Sequence, residues 1–270
     1  MATIIDPATG DPAAERPRPR DPDRIFFVRV GLVLATICVA GFGVQAAFGR
    51  SSFVAPWFVH AHAVLFSSWV ALYVAQMLAA GSGNLALHRR LGMLALAWIP
   101  AMAIVGPATT IMTTRAGRVP FFFDINYFWI MDTLTVTCFA GLALAGFALR
   151  RRTDWHRRLM TAAMIFLAGA PVGRLVPMPL FIGMHIGVWP PYAVLLVIVA
   201  VCMIHDLRRL GRVHPAWWAA LAAMTVTQVA MDVIAYSDWG IATTRAMIAG
   251  TPGDRADLNA AWPPGMAPPG

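Results

Sequence analysis

Long apolar runs make up most of this chain, and the polar loops between them alternate between arginine-rich and arginine-poor. A helix that crosses a bilayer needs about 20 consecutive, mostly apolar residues. Seven runs reach that length, at residues 26–48, 56–80, 91–113, 121–149, 158–179, 182–204 and 215–236. The pattern therefore predicts an all-α fold, a polytopic transmembrane helical bundle of about seven spans.

Prolines make the fifth and sixth runs the least regular. Each proline in a membrane helix leaves one backbone carbonyl in need of another partner. Five of them fall in or between these two runs: Pro171, Pro177, Pro179, Pro190 and Pro191. The region 171–191 is therefore open to a second interpretation, as one kinked turn-around near the membrane surface.

The arginines predict the orientation of the bundle. All 21 basic residues are arginine. Fifteen lie before the first span or in the loops that share its side, against five on the other side and Arg174 within a span. Loops rich in arginine stay in the cytoplasm. We expect a cytoplasmic N-terminus and an external C-terminus.

Composition agrees with a membrane protein and leaves no room for a second folded domain. Of the 270 residues 59% are hydrophobic and 13% charged, and the mean hydropathy is +0.65. We predict a disordered cytoplasmic tail at 1–24, the transmembrane domain at 25–239 and a flexible, Pro/Gly-rich external tail at 240–270. The net charge of +8 fits this topology with the lipid bilayer as partner, so no nucleic-acid partner is expected.

Two short motifs are similar to each other. Residues 88–92 read His-Arg-Arg-Leu-Gly and residues 156–160 read His-Arg-Arg-Leu-Met, each opening an outward-running span. They indicate either a tandem of two-helix units or simply cytoplasmic loops that need arginines.

With His62 in an early span and Arg174 late in another, these motifs resemble a group of uncharacterised bacterial multi-span proteins that carry a domain of unknown function. That resemblance implies location in the bacterial inner (cytoplasmic) membrane. A looser resemblance is to haem-carrying membrane proteins of the cytochrome b561 type. Those proteins hold histidine pairs inside the bilayer near both faces, whereas His88, His156 and His214 are expected in loops here.

Polar residues inside the spans gather on one side. Ionisable groups within membrane helices usually face the bundle interior and often mark function. The external half is predicted to hold His60, His62, Asp124, Asn126, Asp132, Arg174, His185, Gln228 and Asp232. Within this set we predict a buried polar network of Asp124, Asp132, Arg174, Gln228 and Asp232.

Helical spacing refines the set. His62, Phe66 and Trp69 follow the i, i+4, i+7 rule and share one face of their helix, whereas His60 points to the opposite face and cannot chelate a metal together with His62. Arg174 with Asp132 or Asp232 can also be read as a buried ion pair that only fixes helix register.

Three functions remain open. In the first, His62 and His185 bind haem b or a transition metal in a redox membrane protein. In the second, Asp132, Arg174 and Asp232 serve a proton-coupled carrier of a small molecule. In the third, the chain is a non-catalytic membrane subunit. A quinone or another small molecule is the candidate ligand, and no HExxH or nucleophile-elbow motif adds an enzyme class.

The redox hypothesis makes a spectroscopic prediction. Detergent-purified protein, oxidised and then reduced with dithionite, should show a Soret band and a sharp reduced α-band. Both should disappear in His62→Ala or His185→Ala, because removal of an axial ligand releases or alters the haem. A colourless, metal-free preparation from haem-replete cells would contradict the hypothesis.

Overall fold

The structure is a computed structural model that describes residues 22–49, 54–182, 184 and 186–261. All regular secondary structure in these residues is helical. The α-helices are α1 (Pro22–Ala47), α2 (Trp57–Ser82), α3 (Leu85–Arg115), α4 (Ile125–Ala148), α5 (Thr153–Leu167), α6 (Gly169–Leu175), α7 (Trp189–Leu210), α8 (Pro215–Ala235) and α9 (Asp238–Ile248). Two 3-10 helices cover Met178–Phe181 and Pro252–Arg255.

In the part of the chain that the structure describes, seven helical segments are long and apolar enough to cross a membrane, namely α1, α2, α3, α4, the combined α5 and α6, α7 and α8. The predicted all-α bundle of seven spans is therefore confirmed, and the chain is a multi-pass membrane protein. We call the end of the bundle where α1, α3, α5 and α8 begin the arginine-rich end. The opposite end, where α2, α4 and α7 begin, is the arginine-poor end.

The predicted bounds of the fifth and sixth spans were wrong by several residues. The fifth span is Thr153–Leu175 rather than 158–179, and the sixth is α7 rather than 182–204. Pro190 and Pro191 cause the second shift, because they occupy the first turn of α7, where a missing N–H costs no hydrogen bond. The turn between the two spans, 176–188, is shorter than the 171–191 turn-around of the second interpretation.

A break at Ala168 divides the fifth span into α5 and α6. Pro171 has no N–H to donate to the carbonyl of Leu167, so the regular helical ladder cannot continue. α6 then packs against α1, where Gly41 lies directly on the backbone of Pro171 and any larger residue would clash. The break therefore positions Arg174 beside α1.

α5 forms the centre of the bundle. It contacts α1, α4, α6, α7 and α8, and Ala162, Ala163, Met164 and Ile165 are fully buried. Small residues let helix backbones approach closely, which is a main source of packing energy inside a membrane. The surrounding helices present exposed apolar side chains such as Val64, Val197 and Val226 outward, as expected of a surface in lipid.

Buried charges hold the arginine-rich end together. Arg158 of α5 donates two hydrogen bonds, of 2.7 and 2.6 Å, to the carboxylate of Asp206, and the two side chains are 0% and 1% exposed. Asp23 at the start of α1 pairs with Arg157 and with His205. The predicted fifth span begins at Arg158 and the predicted sixth span ends before Asp206. Both residues lie within helices instead, because α5 begins earlier and α7 runs on to Leu210.

The two similar motifs have a common structure. His88 and His156 lie in the first turns of α3 and α5 rather than in loops. Each Nδ1–H donates to a carbonyl near the end of the preceding helix, at 3.2 Å to Gln76 and 2.8 Å to Gly146. The prediction of loop positions was therefore wrong, and the recurrence of the bond supports the tandem of two-helix units.

The correspondence between the two hairpins continues along α2 and α4. If Gln76 is matched with Gly146, Trp69 matches Phe139 and His62 matches Asp132. The rings of Trp69 and Phe139 are in contact, with centroids 5.1 Å apart, and the His88 and His156 rings face each other. Matched residues of α2–α3 and α4–α5 thus meet each other, as in repeats related by an axis along the membrane normal.

The C-terminal region differs from the flexible tail predicted for 240–270. α9 is capped by the Ser237 hydroxyl, which accepts from the N–H of Gly240. The chain then returns to the start of α4, where the N–H of Ile125 donates to the carbonyl of Leu258. Local sequence patterns could not predict this hydrogen bond, because Ile125 and Leu258 are far apart in the sequence. Residues 1–21 and 262–270 of the predicted tails lie outside the described residues.

The Arg158–Asp206 pair makes a stability prediction. Arg158→Gln leaves the Asp206 carboxylate buried without its cation and should cost about 3–5 kcal/mol. We expect a sharply lower yield of folded protein and a lower melting temperature in detergent. Arg151→Gln, at an exposed position, is the control and should melt like the wild type. Equal melting temperatures for all three proteins would show that the pair does not hold the bundle.

Candidate functional site

Three polar side chains approach one another in the arginine-poor half of the bundle: His62 from α2, Asp132 from α4 and Arg174 from α6. His62 lies five residues into α2 and Asp132 seven residues into α4. At 1.5 Å per residue this places them about 8 and about 10 Å inside their helices. We call this group the polar cleft.

The imidazole ring of His62 stacks on an aromatic residue, and one of its nitrogen atoms has no hydrogen-bond partner among the described residues. Its imidazole stacks on Phe66 with ring centroids 4.1 Å apart. The Nδ1 atom is buried and has no hydrogen-bond partner among the described residues. The ring is close enough to Asp132 and Arg174 to interact with both electrostatically. A buried unpaired nitrogen is costly, so this atom is available to a ligand, a proton or a water molecule.

Asp132 is held by one hydrogen bond. The Thr110 hydroxyl of α3 donates to its Oδ2 at 2.6 Å. Thr110 is buried, and its bond fixes the direction of the carboxylate. The Oδ1 atom has no such bond from a described residue, so half of the acceptor capacity of the carboxylate remains.

Most N–H donors of the Arg174 guanidinium have no hydrogen-bond partner among the described residues. Its Nη1 donates to the carbonyl of Ala170 at 2.8 Å, and its guanidinium carbon lies 4.6 Å from the centre of the Phe42 ring. It forms no ion pair with a described residue, although Asp132 is close enough for electrostatic attraction. Arg174 is exposed, so its remaining donors can be reached from outside the bundle.

Asp232 and Gln228 belong to a second polar group, between α4, α7 and α8. The Trp189 indole donates to Oδ2 of Asp232 at 2.7 Å, and the Tyr127 hydroxyl lies close to both Asp232 and Gln228. The Asp232 Oδ1 and the Gln228 Nε2 are buried without a partner among the described residues. The bond between Trp189 and Asp232 is a contact that sequence spacing does not reveal.

Asp124 has a different role, at the start of α4. Its Oδ2 accepts from the Tyr236 hydroxyl at 2.6 Å and its Oδ1 from the N–H of Ala260 at 2.7 Å. Burial and the neighbouring Asp124 carboxylate raise the pKa of Tyr236, so the phenol stays a donor. A cavity of about 30 Å³ lies beside these residues, enough room for a water molecule. Asp124 therefore ties the C-terminal segment to the bundle.

The predicted network thus divides in three, with Asp124 at the start of α4 apart from the other four residues. Asp132 and Arg174 lie in the polar cleft with His62, while Gln228 and Asp232 lie in the second group. His185 lies outside the described residues, so the structure does not place the expected pair of His62 and His185. Within the described parts of the chain, no three His, Cys, Asp or Glu residues are grouped so as to hold a metal ion, and Cys38, Cys138 and Cys202 are free thiols.

Sequence reasoning missed two residues that contact the polar cleft: Thr110, which bonds to Asp132, and Phe42, which packs against Arg174. Thr110 is one turn after Gly106 and bonds back to its carbonyl, which is the common behaviour of threonine in a membrane helix. Its position opposite Asp132 was the only available signal, and it requires knowledge of helix pairing. Phe42 looks like any lipid-facing residue of α1.

Comparison with known proteins adds no relationship: no protein-family model matches the chain, and neither the curated proteins nor the solved structures contain a significant match.

The role of Asp124 can be tested by substitution. Asp124→Ala removes the acceptor for both Tyr236 and Ala260, and hydrogen bonds to a charged group contribute about 1.5–3 kcal/mol each. We expect faster hydrogen exchange in residues 256–261 with the transmembrane helices unchanged. Asp257→Ala, which removes only a local bond to the N–H of Asn259, is the control. Unchanged protection at Ala260 in Asp124→Ala would contradict the assigned tie.

Proposed function

We propose that this protein is a proton-coupled carrier that binds a small organic anion in the polar cleft. The observation that carries the proposal is the state of Arg174, an exposed guanidinium with free donors in a membrane span. A guanidinium has five N–H donors, and one of those of Arg174 bonds to Ala170. The remaining fork suits a carboxylate, which it binds through two parallel hydrogen bonds.

Charge balance supports the coupling to protons. Asp132 and Arg174 carry opposite charges, so with a neutral imidazole the three side chains of the polar cleft have no net charge. In a medium of low dielectric constant an added anion is stable only when its charge is compensated. Protonation of Asp132 or of His62 supplies that compensation, because both interact electrostatically with Arg174. One proton should therefore accompany each monoanion.

The architecture is also suited to a carrier. Arg174 sits on α6, a short helix set off from α5 by the break at Ala168. Broken helices and internal repeats are common at the substrate sites of secondary transporters. The paired hairpins α2–α3 and α4–α5 flank the polar cleft, so movement of one hairpin against the other would alter access to it.

Binding of carboxylates to the purified protein tests the proposal. We would titrate the detergent-purified protein with acetate, lactate, succinate and glutarate at pH 6 and pH 8, following tryptophan fluorescence and proton uptake in weak buffer. At least one of these anions should bind, more tightly at pH 6, with uptake of about one proton. Arg174→Gln should weaken binding by about tenfold or more, because a desolvated charge pair contributes about 2–5 kcal/mol.

Two variants separate binding from folding and from coupling. Arg118→Gln removes an exposed arginine of the same end and should bind like the wild type. Asp132→Asn keeps an acceptor for Thr110 and should retain the fold while changing the pH dependence of binding. The proposal fails if no carboxylate of the panel binds, or if Arg174→Gln binds as well as the wild type.

The redox alternative is favoured by one observation, the unpartnered Nδ1 of His62, which offers a lone pair or a proton to a ligand. Haem b or a transition metal held by His62 and His185 remains a prediction, and the reduced-minus-oxidised spectrum tests it. Location in the bacterial inner membrane and a cytoplasmic N-terminus also remain proposals, supported by the seven spans and the distribution of arginine.

A further inference from the structure

Three helices line the polar cleft in two layers that lie one turn apart. Each helix contributes one polar residue and one small or apolar residue: His62 and Phe66 of α2, Thr110 and Gly106 of α3, and Asp132 and Val136 of α4. Residues four apart share one face of a helix. In each pair the polar residue lies nearer the arginine-poor end, so a polar layer lies above an apolar one.

The deeper layer shows that the three helices converge. A Cβ atom added at Gly106 would lie 3.2 Å from Cγ2 of Val136 and 3.3 Å from Cζ of Phe66, so side chains of α2 and α4 meet on α3 at this level. His62 and Asp132 lie on the same faces of α2 and α4, one turn higher, and therefore also point towards one another. A molecule that enters the polar cleft meets polar atoms first and an apolar floor below them.

Two side chains of the polar layer have an atom without a partner. Nδ1 of His62 is buried and accepts or donates no hydrogen bond among the described residues. Thr110 donates to Oδ2 of Asp132, and Oδ1 of the same carboxylate receives no bond from a described residue. His62 and Asp132 interact electrostatically with each other, and both residues keep some exposed surface. The proposed anion site leaves these two atoms without a ligand group.

One added proton gives this pair one donor and one acceptor. If the imidazole of His62 takes the proton, its Nδ1–H donates and the carboxylate of Asp132 accepts. If the carboxyl group takes the proton, its O–H donates and the neutral imidazole can accept at Nδ1. A hydroxyl group donates and accepts at the same time, so it satisfies both atoms in either state. A keto oxygen only accepts, and a methylene group does neither.

We propose that the polar cleft selects short 2-hydroxy monocarboxylates, with the carboxylate on Arg174 and the hydroxyl group between His62 and Asp132. This inference rests on the proposed function, because it takes Arg174 as the anchor of the anion. Arg174 interacts electrostatically with both His62 and Asp132, so the two polar groups of the ligand must be close together. A hydroxyl group on the carbon next to the carboxylate meets that requirement.

The remainder of the ligand should be small and apolar. The described residues of the polar cleft include one guanidinium, which pairs with one carboxylate. A second carboxylate would enter a medium of low dielectric constant without a second cation, which is unfavourable. Below the polar layer the ligand meets Phe66 and Val136, which pack closely on Gly106. A methyl group suits that floor better than a charged group does.

Lactate and propionate form the matched pair for the test, because they differ only in the hydroxyl group. We would measure their dissociation constants for the detergent-purified full-length protein at pH 6 by calorimetry, with pyruvate and alanine as further probes. Lactate should bind about tenfold or more tightly than propionate, because the analogue without a hydroxyl group leaves two polar atoms of the site unpaired. Pyruvate and alanine should also bind more weakly than lactate, since a keto oxygen only accepts and an ammonium group only donates.

The variant His62→Leu removes one partner of the hydroxyl group and leaves Arg174 in place. It should bind propionate with nearly the affinity of the wild type and lose most of the preference for lactate. A merely structural role of His62 would instead weaken the binding of both anions equally. His60→Leu, two residues away on the opposite face of α2, is the matched control and should keep the wild-type ratio of the two affinities. Melting temperatures of both variants report on folding.

Three results would overturn the selection of hydroxy acids: equal affinities of the wild type for lactate and propionate, tighter binding of pyruvate or alanine than of lactate, or an unchanged preference in His62→Leu. In each of them Arg174→Gln can still weaken anion binding, so the proposed function would stand. If no carboxylate binds, the proposed function fails as well. If His62→Leu does not fold, the ratio measured on the wild type decides alone.

Discussion

The buried ion pair between Arg158 and Asp206 is the interaction on which the arrangement of the helices depends. A charge in a low-dielectric interior is tolerated only with a partner at hydrogen-bond distance. Arg158 lies on α5, the central helix, and Asp206 on α7 also accepts from the N–H of His214 at the start of α8. Three helices are thus fixed at one point, so the depth of α5 in the bundle, and with it the position of α6 and Arg174, follows from this pair.

The described residues at the two ends of the bundle differ in how their charged groups are paired. At the arginine-rich end, Asp23, Asp154 and Asp206 each pair with an arginine or a histidine. At the arginine-poor end, His62, Gln228 and Asp232 keep buried atoms without a partner among the described residues, and Arg174 keeps free donors. Unsatisfied polar groups in a membrane interior cost free energy, and their presence usually has a functional reason. Buried atoms without a partner also occur at the arginine-rich end, in Gln76, Arg157 and Trp217, so the difference between the two ends lies in the ion pairs, which stabilise the arginine-rich end.

The sequence predicted the fold class well because hydrophobic length is a local property that needs no knowledge of packing. The start of α7 at Trp189 could not be predicted, because Pro190 and Pro191 look like helix breakers in a sequence although proline is favourable in the first turn of a helix. His62, Asp132 and Arg174 were found because charged residues are rare in spans. Their grouping, and the separation of Asp232 from them, depend on helix contacts. The ion pair of Asp206 was missed because the helix was expected to end before it.

The internal repeat explains how one fold carries both a symmetric and an asymmetric polar pair. The hairpins α2–α3 and α4–α5 place matched residues opposite each other, so identical residues at one level, His88 and His156, form a symmetric pair of imidazoles. At another level the matched residues differ, and His62 faces Asp132. Counted from the matched pair His88 and His156, Arg174 matches Gly106, where an added side chain would meet Val136 and Phe66. The guanidinium beside a histidine and a carboxylate therefore lies where the two hairpins differ in sequence, and that difference supports the proposed binding of an anion together with a proton.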